Sequence, residues 1–244
     1  MMLRKTLHRA LRRVGLQISR SRDPYEDCVE LLGPNSVALI VDGGAFHGGH
    51  ALQMARLFPA ATIHLFEPTA DTFATLQTRI SGAPRLRAHR LALSDRTMQT
   101  ELHVHQTRFT SSLLPTNEPT RMREVETQHI TAVSLDEWLA TERLPVPDII
   151  KLDLQGHELA ALRGATSSLS SGVRGIVVEV NFRNRYSGGC TYYEVAQLLS
   201  DHGFRLFRFY DVIADGNGAW RQADALFVRM KLLESHAANR VSIE

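Results

Sequence analysis

The stretch Ile40-Val41-Asp42-Gly43-Gly44-Ala45-Phe46-His47-Gly48-Gly49 decides the fold of this chain. Val37 to Val41 is an unbroken apolar run, the pattern of a strand buried on both faces, and it ends in an acid and a glycine turn. The helical spacing of Ala51–Phe58 follows, stopped by Pro59. Strand, glycine turn and helix in that order open a doubly wound α/β unit, whose ligands sit beyond the carboxyl ends of the strands.

The alternation continues outward. Ala61–Phe66 reads as a second strand, closed by Glu67-Pro68, and Asp71–Ile80 carries Phe73, Leu76 and Ile80 on one helical face. Leu86–Leu93 reads as a third strand. Leu102–Gln106 and Ile130–Val133 alternate apolar and polar residues, as a half-exposed hairpin or insertion does. Ser111 to Arg123, weakly patterned, reads as a mobile loop that can serve as a lid. Leu135–Ala140 is a short helix, Asp148–Leu154 a core strand, Glu158–Leu169 a helix and Gly175–Val180 another strand. Tyr192–His202 is a helix closed by Gly203, and Phe204–Phe209 with Asp224–Arg229 form an antiparallel pair. The expected fold is a Rossmann-like, seven-stranded, mostly parallel sheet with one antiparallel strand and helices on both faces.

Glycine in the first turn lets backbone approach a ligand closely, and Asp42 suits a cationic one. The G-x-G-x-x-G spacing of a pyrophosphate site is absent, which disfavours a nicotinamide-dependent oxidoreductase. Glu67, directly after the second strand, can grip both hydroxyls of a ribose, with Pro68 setting its turn.

Bulk properties agree with one globular domain: 244 residues, 43% hydrophobic, 22% charged, formal net charge +2. No basic groove with interleaved aromatics appears, so nucleic acid is not the expected partner. Residues 1–30 read as a basic helical cap, 31–230 as the main domain and 231–244 as a tail. The cap holds Arg4, Lys5, Arg9, Arg12, Arg13, Arg20 and Arg22 along an amphipathic pattern suited to packing on the domain or to peripheral membrane contact. Two separate cysteines, Cys28 and Cys190, support neither a disulfide framework nor a zinc site. No apolar run reaches the ~20 residues of a membrane span, and the expected location is cytoplasmic.

The segments VDGGAFHGG (41–49), HLFEP (64–68), LALSD (91–95), VSLDEWL (133–139), DIIKLDLQGHELAALRGA (148–165), VEVNF (178–182) and ADALFV (223–228) resemble the FkbM methyltransferases. The resemblance implies S-adenosylmethionine-dependent methylation of a hydroxyl on a small molecule such as a sugar, glycoconjugate or polyketide-like metabolite. It also implies that Asp42, Gly43, Gly44 and Ala45 line the methionine end of the cofactor and that Glu67 and Pro68 hold the ribose. Ala92, Leu93 and Ser94 would flank the adenine, and Asp153 would lie beside the sulfonium. Two positions depart from the family pattern: Phe46 stands where asparagine is usual, and Gln155 where glutamate is usual.

An alcohol needs help to lose its proton. Asp153 is the first candidate for that base, His157 the second; Lys151 and Glu158 complete the charged set, Lys151 as an ion-pair partner of Asp153 or a neighbouring acid and Glu158 also as a holder of loop backbone at a helix start. Asp153, Glu179 and Asn181 offer oxygens that would suit Mg2+, but the favoured reading has no metal. His103 and His105 lack a third ligand. Asn181, Arg183, Arg185 and Tyr186 follow a strand end and are the candidate acceptor-binding residues, Tyr186 by stacking on a sugar ring. The alternative function is a catalytically degenerate scaffold that binds the cofactor only.

Overall fold

The computed structural model describes residues 23–241. The basic segment before Asp23 lies outside the described residues.

Helix α1 (Pro24–Leu32) begins where Asp23 accepts the Tyr25 N–H at 2.7 Å, with Pro24 in the first turn. Then come β1 (Leu39–Gly43), α2 (Gly49–Leu57), β2 (Thr62–Phe66), α3 (Ala70–Ile80), β3 (Leu86–His89), β4 (Ala92–Ser94), β5 (Met98–His105), a single 3-10 turn at Arg108–Thr110 and β6 (Glu124–Ser134). The second half holds α4 (Leu135–Glu142), β7 (Ile149–Leu152), α5 (Glu158–Arg163), α6 (Thr166–Ser171), β8 (Gly175–Asn181), α7 (Tyr192–Asp201), β9 (Phe204–Ala214), β10 (Trp220–Arg229) and α8 (Met230–Val241).

Among the described residues, seven strands form one sheet in the order β3-β2-β1-β7-β8-β10-β9. All neighbours run parallel except β10, which is antiparallel to both β8 and β9. The sheet matches the Rossmann-like expectation, and the strand order reverses between β1 and β7, where such folds bind ligands.

Side-chain alternation splits the core between the two faces. Leu39, Val41, Ile150, Leu152 and Val178 pack with Trp138, Leu162 and Leu199 of α4, α5 and α7. Ile40, Ile63, Leu65, Ile149 and Val177 pack with Tyr25, Met54 and Leu76 of α1, α2 and α3. Leu232 and Leu233 join the second cluster, so the segment expected as a tail starts as a docked helix.

Two expectations are corrected and a third, the hairpin, is borne out and extended. The third strand does not run through to Leu93: it breaks after His89 at exposed Arg90, and Ala92–Ser94 leave the main sheet to pair in parallel with Ala132–Ser134. The half-exposed hairpin is therefore part of a three-stranded sheet, β4-β6-β5. The helix expected over Glu158–Leu169 is two helices, because Gly164 presses on β4 so closely that a Cβ there would meet the Ser94 carbonyl oxygen at 2.0 Å. Asp136 restarts the chain by accepting the N–H groups of Ser167 and Ser168.

Candidate active site

At the β1/β7 switch point lies a cavity of about 350 Å³, within the usual range for small-molecule sites. Gly44, Ala45, Phe46, Glu67, Pro68, Ala92, Leu93, Lys151, Asp153, Gln155 and His157 are among its lining residues.

The glycine turn is shaped by its neighbours. Gly44 has φ +73, and a Cβ there would lie 1.9 Å from the Asp153 carbonyl oxygen, so only glycine lets the ends of β1 and β7 meet. The Gly44 and Ala45 N–H groups both donate to the Phe66 carbonyl at 3.0 Å, and Asp153 N–H donates to Gly43 O at 3.1 Å. Phe46 adopts φ +48, unusual for a bulky residue, and its N–H is held by Glu67 Oε2 at 3.0 Å. Glu67 Oε1 accepts from Thr69 N–H at 2.9 Å. Burial raises the Glu67 carboxyl above its usual range, opposed by these two N–H bonds and by Lys151. Glu67 therefore braces both loops that frame the cavity while lining it.

Asp42 and Gly43 stand one layer behind. Asp42 is fully buried, with Oδ1 3.0 Å from Lys151 Nζ. The pair is a Coulombic contact rather than an aligned hydrogen bond, since neither Asp42 oxygen has a hydrogen-bond partner among the described residues. Lys151 Nζ instead donates to Gly44 O at 2.8 Å and Gly43 O at 3.3 Å. Burial opposes the Lys151 charge, but Asp42 and Asp153 outweigh it and raise the ammonium above its usual range. The register Asp42↔Lys151 across β1 and β7 creates this pair.

Beyond the end of β7, Asp153 Oδ1 accepts from Gln155 Nε2 at 2.6 Å, and the other Asp153 oxygen carries no hydrogen bond among the described residues. Glu158 is enclosed: it accepts the N–H groups of Leu154 at 2.7 Å and Gly156 at 3.1 Å, and so holds the turn before α5. It does not line the cavity, and its role is the backbone-holding one. Burial, with Asp153 nearby, pushes Glu158 up to about 7. The folded protein thus keeps a proton there that an unfolded chain releases above about 4.5, so this group contributes stability that is lost as pH rises through about 7. In melting curves between pH 5 and pH 8, the difference between Glu158→Gln and wild type is expected to move in the variant's favour as pH rises. A pH-independent difference would show that Glu158 is already ionised.

His157 lines the cavity but turns to Ser94, with Nε2 3.0 Å from its hydroxyl, and burial lowers its pKa. No hydrogen bond links it to Asp153, so it is not that group's partner. Ser94 is fully buried and anchors His157 rather than lining the cavity.

The candidate acceptor residues Asn181, Arg185 and Tyr186 are all buried and none lines the cavity. Tyr186, expected to stack on a sugar, is 1% exposed; its ring packs on Gly156 and its hydroxyl lies 2.8 Å from Gln155 Oε1 and 3.0 Å from Thr110 O. Arg185 bonds Gln222 Oε1 at 2.7 Å, and Arg183 pairs with Glu118 and Asp215. These residues are covered because the segment after Ser111 is pinned rather than loose: Ser112 Oγ donates to Gln155 O at 2.8 Å, Asn117 N–H to Arg185 O, and Ser187 N–H to Pro115 O. Ser111, Ser112 and Leu113 close one wall.

Sequence reasoning missed Arg79, Arg108 and Phe109 in the cavity wall. Phe109, 61% exposed, stands edge-on to Phe46 with centroids 6.4 Å apart. The only signal was one aromatic in the polar run Gln106–Ser112.

A switch-point cavity framed by a glycine turn, a second-strand acid and an acid after β7 is the architecture of a Rossmann-like methyltransferase domain. Residues 42–206 match the methyltransferase FkbM domain, and the chain belongs to that family. It is 29% identical over 161 residues to the hexuronic acid methyltransferase AglP of Haloferax volcanii, covering 66% of this chain and 60% of that relative. The chain thus spans less than two thirds of AglP. It is 25% identical over 172 residues to the 2-O-methyltransferase NoeI of Sinorhizobium fredii, covering 66% of this chain and 70% of NoeI. A crystal structure of a methyltransferase FkbM from Methylobacillus flagellatus superposes with a TM-score of 0.53 at 15% identity, over 79% of this chain and 43% of that one, a likeness of fold. Among the described residues no helix is long and apolar enough to cross a membrane.

Proposed function

We propose that this protein transfers a methyl group from S-adenosylmethionine to a hydroxyl of a small, sugar-like acceptor. The observation that carries the reading is the convergence of Gly44, Glu67, Lys151 and Asp153 on one cavity, with Asp42 directly behind Lys151.

The residues present fit that cofactor. Gly44, which tolerates no side chain, suits close backbone approach, and Asp153 suits a sulfonium cation. Each Glu67 oxygen already accepts one N–H and retains capacity for a ribose hydroxyl. Leu91, Ala92, Leu93 and Phe66 supply apolar wall for a flat base. When bound, S-adenosylmethionine supplies an electrophilic methyl group. Asp153 then aligns the acceptor hydroxyl and takes its proton on the oxygen that Gln155 does not hold. The walls, closed by Ser111–Leu113, keep bulk water from competing.

Several features favour a sugar acceptor bearing a negative group. Two relatives are named for a hexuronic acid and for 2-O-methylation. Arg79, with Nη1 on the His47 carbonyl at 3.2 Å, and Arg108, paired with Asp71 at 2.9 Å, place guanidinium groups in the wall, and Phe46 and Phe109 offer apolar edges to a pyranose face. Arg185 and Tyr186 act from behind, by holding the wall that the acceptor meets.

Glu67→Ala is expected to weaken S-adenosylmethionine binding, measured by calorimetry, by about 1–3 kcal/mol through loss of charge-assisted hydrogen bonds. Unchanged affinity in a folded variant removes Glu67 from the ribose role. Incubation of wild type with a panel of uronic acids and neutral glycosides should yield a product one methyl group heavier. Cofactor binding without transfer to any of them would favour the scaffold alternative.

A further inference from the structure

Asp153, Glu158 and Glu179 bring one carboxyl oxygen each within 4.8 Å of the others, a spacing that is met either by a cation or by retained protons, and burial with neighbouring acids raises both Glu158 and Glu179 above the usual range. The oxygens are already occupied by donors from the chain. Glu158 takes the Leu154 and Gly156 N–H groups, and Glu179 Oε1 takes Gln222 Nε2 at 2.9 Å. The remaining gap is bridged by Gln155. Its Nε2 lies 2.6 Å from Asp153 Oδ1 and 3.1 Å from Glu179 Oε2, so both amide hydrogens are spent on two carboxylates from two different strand ends.

The orientation of that amide is set by chemistry. The Asp153 and Glu179 oxygens accept on one side, while on the other lies the Tyr186 hydroxyl, whose one hydrogen is shared between Gln155 Oε1 at 2.8 Å and Thr110 O at 3.0 Å. Gln155 also holds φ +55 and is buried, and its own carbonyl is fixed by Ser112 Oγ at 2.8 Å. A bulky residue keeps such a backbone only where its surroundings demand it.

We infer that the Gln155 amide stands in the place of a cation, joining Asp153 to Glu179 and leaving one Asp153 oxygen toward the cavity without any metal. Gln155 is thereby a positioning residue for the acceptor side. Its bearing on methyl transfer rests on Asp153 being the acceptor-side carboxylate; its bearing on charge does not.

The test uses the full chain, Mn2+ as the probe, and electron paramagnetic resonance to count free ion. Wild type is expected to leave Mn2+ free. Gln155→Glu, which replaces two donors with a further acid, is expected to bind Mn2+ at least about tenfold more tightly than wild type. It is also expected to melt about 5 °C lower than wild type in EDTA and to recover with Mn2+. Gln155→Leu, similar in size but without donors, should also melt lower in EDTA and recover at least partly with Mn2+, which keeps the test alive if the glutamate variant does not fold.

Mn2+ binding by wild type that disappears in Glu179→Gln would overturn the inference, because a metal and not the amide would then join Asp153 to Glu179. A folded Gln155→Glu indifferent to Mn2+, or Gln155→Leu melting like wild type, would overturn it too. None of these readouts uses activity, so they separate from a failure of the methyl-transfer reading.

Discussion

Asp153→Asn is expected to lower the turnover number for methyl transfer by about 10²–10⁴-fold, the usual contribution of a positioned general base. Asparagine keeps the shape, and its carbonyl can still accept from Gln155 Nε2, now 2.6 Å from Asp153 Oδ1. What it cannot do is take a proton on the atom left toward the acceptor. The backbone anchor, Asp153 N–H to Gly43 O, is untouched, so the melting temperature should stay near that of wild type. Single-turnover kinetics with saturating cofactor separate the chemical step from binding. Full turnover in a folded Asp153→Asn protein would reduce Asp153 to an aligning group and leave deprotonation to solvent.

Lys151→Met is expected to destabilise the protein by about 3–5 kcal/mol, because it strands a buried carboxylate. Asp42 is fully buried and lies 3.0 Å from Lys151 Nζ, its close cationic contact, and neither of its oxygens accepts a hydrogen bond among the described residues. The same ammonium ties the carbonyls of Gly43 and Gly44, so its loss also frees the turn that shapes the cavity. For a domain of this size the melting temperature should fall by about 6–20 °C. Removing the partner charge as well, in Asp42→Asn/Lys151→Met, should restore part of the loss, as a coupled pair requires. A single variant melting within a degree of wild type would mean that the pair contributes nothing to the fold.

These two residues lie at opposite ends of what the sequence makes legible. Asp153 was identifiable because it closes an apolar run just before a helix, and strand ends are where α/β ligands bind. The sequence pointed Lys151 to Asp153 or a neighbouring acid and not to Asp42, because that pairing depends on β1 and β7 being neighbours in register, although 108 positions separate Lys151 from the Gly43 carbonyl it also holds. Glu67 was legible for the same reason as Asp153, yet its double duty in bracing the Phe46 and Thr69 N–H groups was not. Tyr186 was misread as a stacking residue because a loop tyrosine after a strand end looks exposed; the segment from Ser111 folds over it and buries it.

Periodicity and punctuation alone determined the strand–helix alternation, the parallel sheet with its single antiparallel strand, and the glycine turn and two strand-end acids, Glu67 and Asp153, that line the cavity. Those features are local: an apolar run, a φ that only glycine tolerates, a carboxylate at a strand end. Tertiary structure alone decided the break of the third strand, the pinning of the loop after Ser111 and the choice of Gln155 as the bridge between Asp153 and Glu179. Each of these depends on which distant segments meet, and burial leaves a polar atom no water to turn to, so the partner it finds across the fold sets its role.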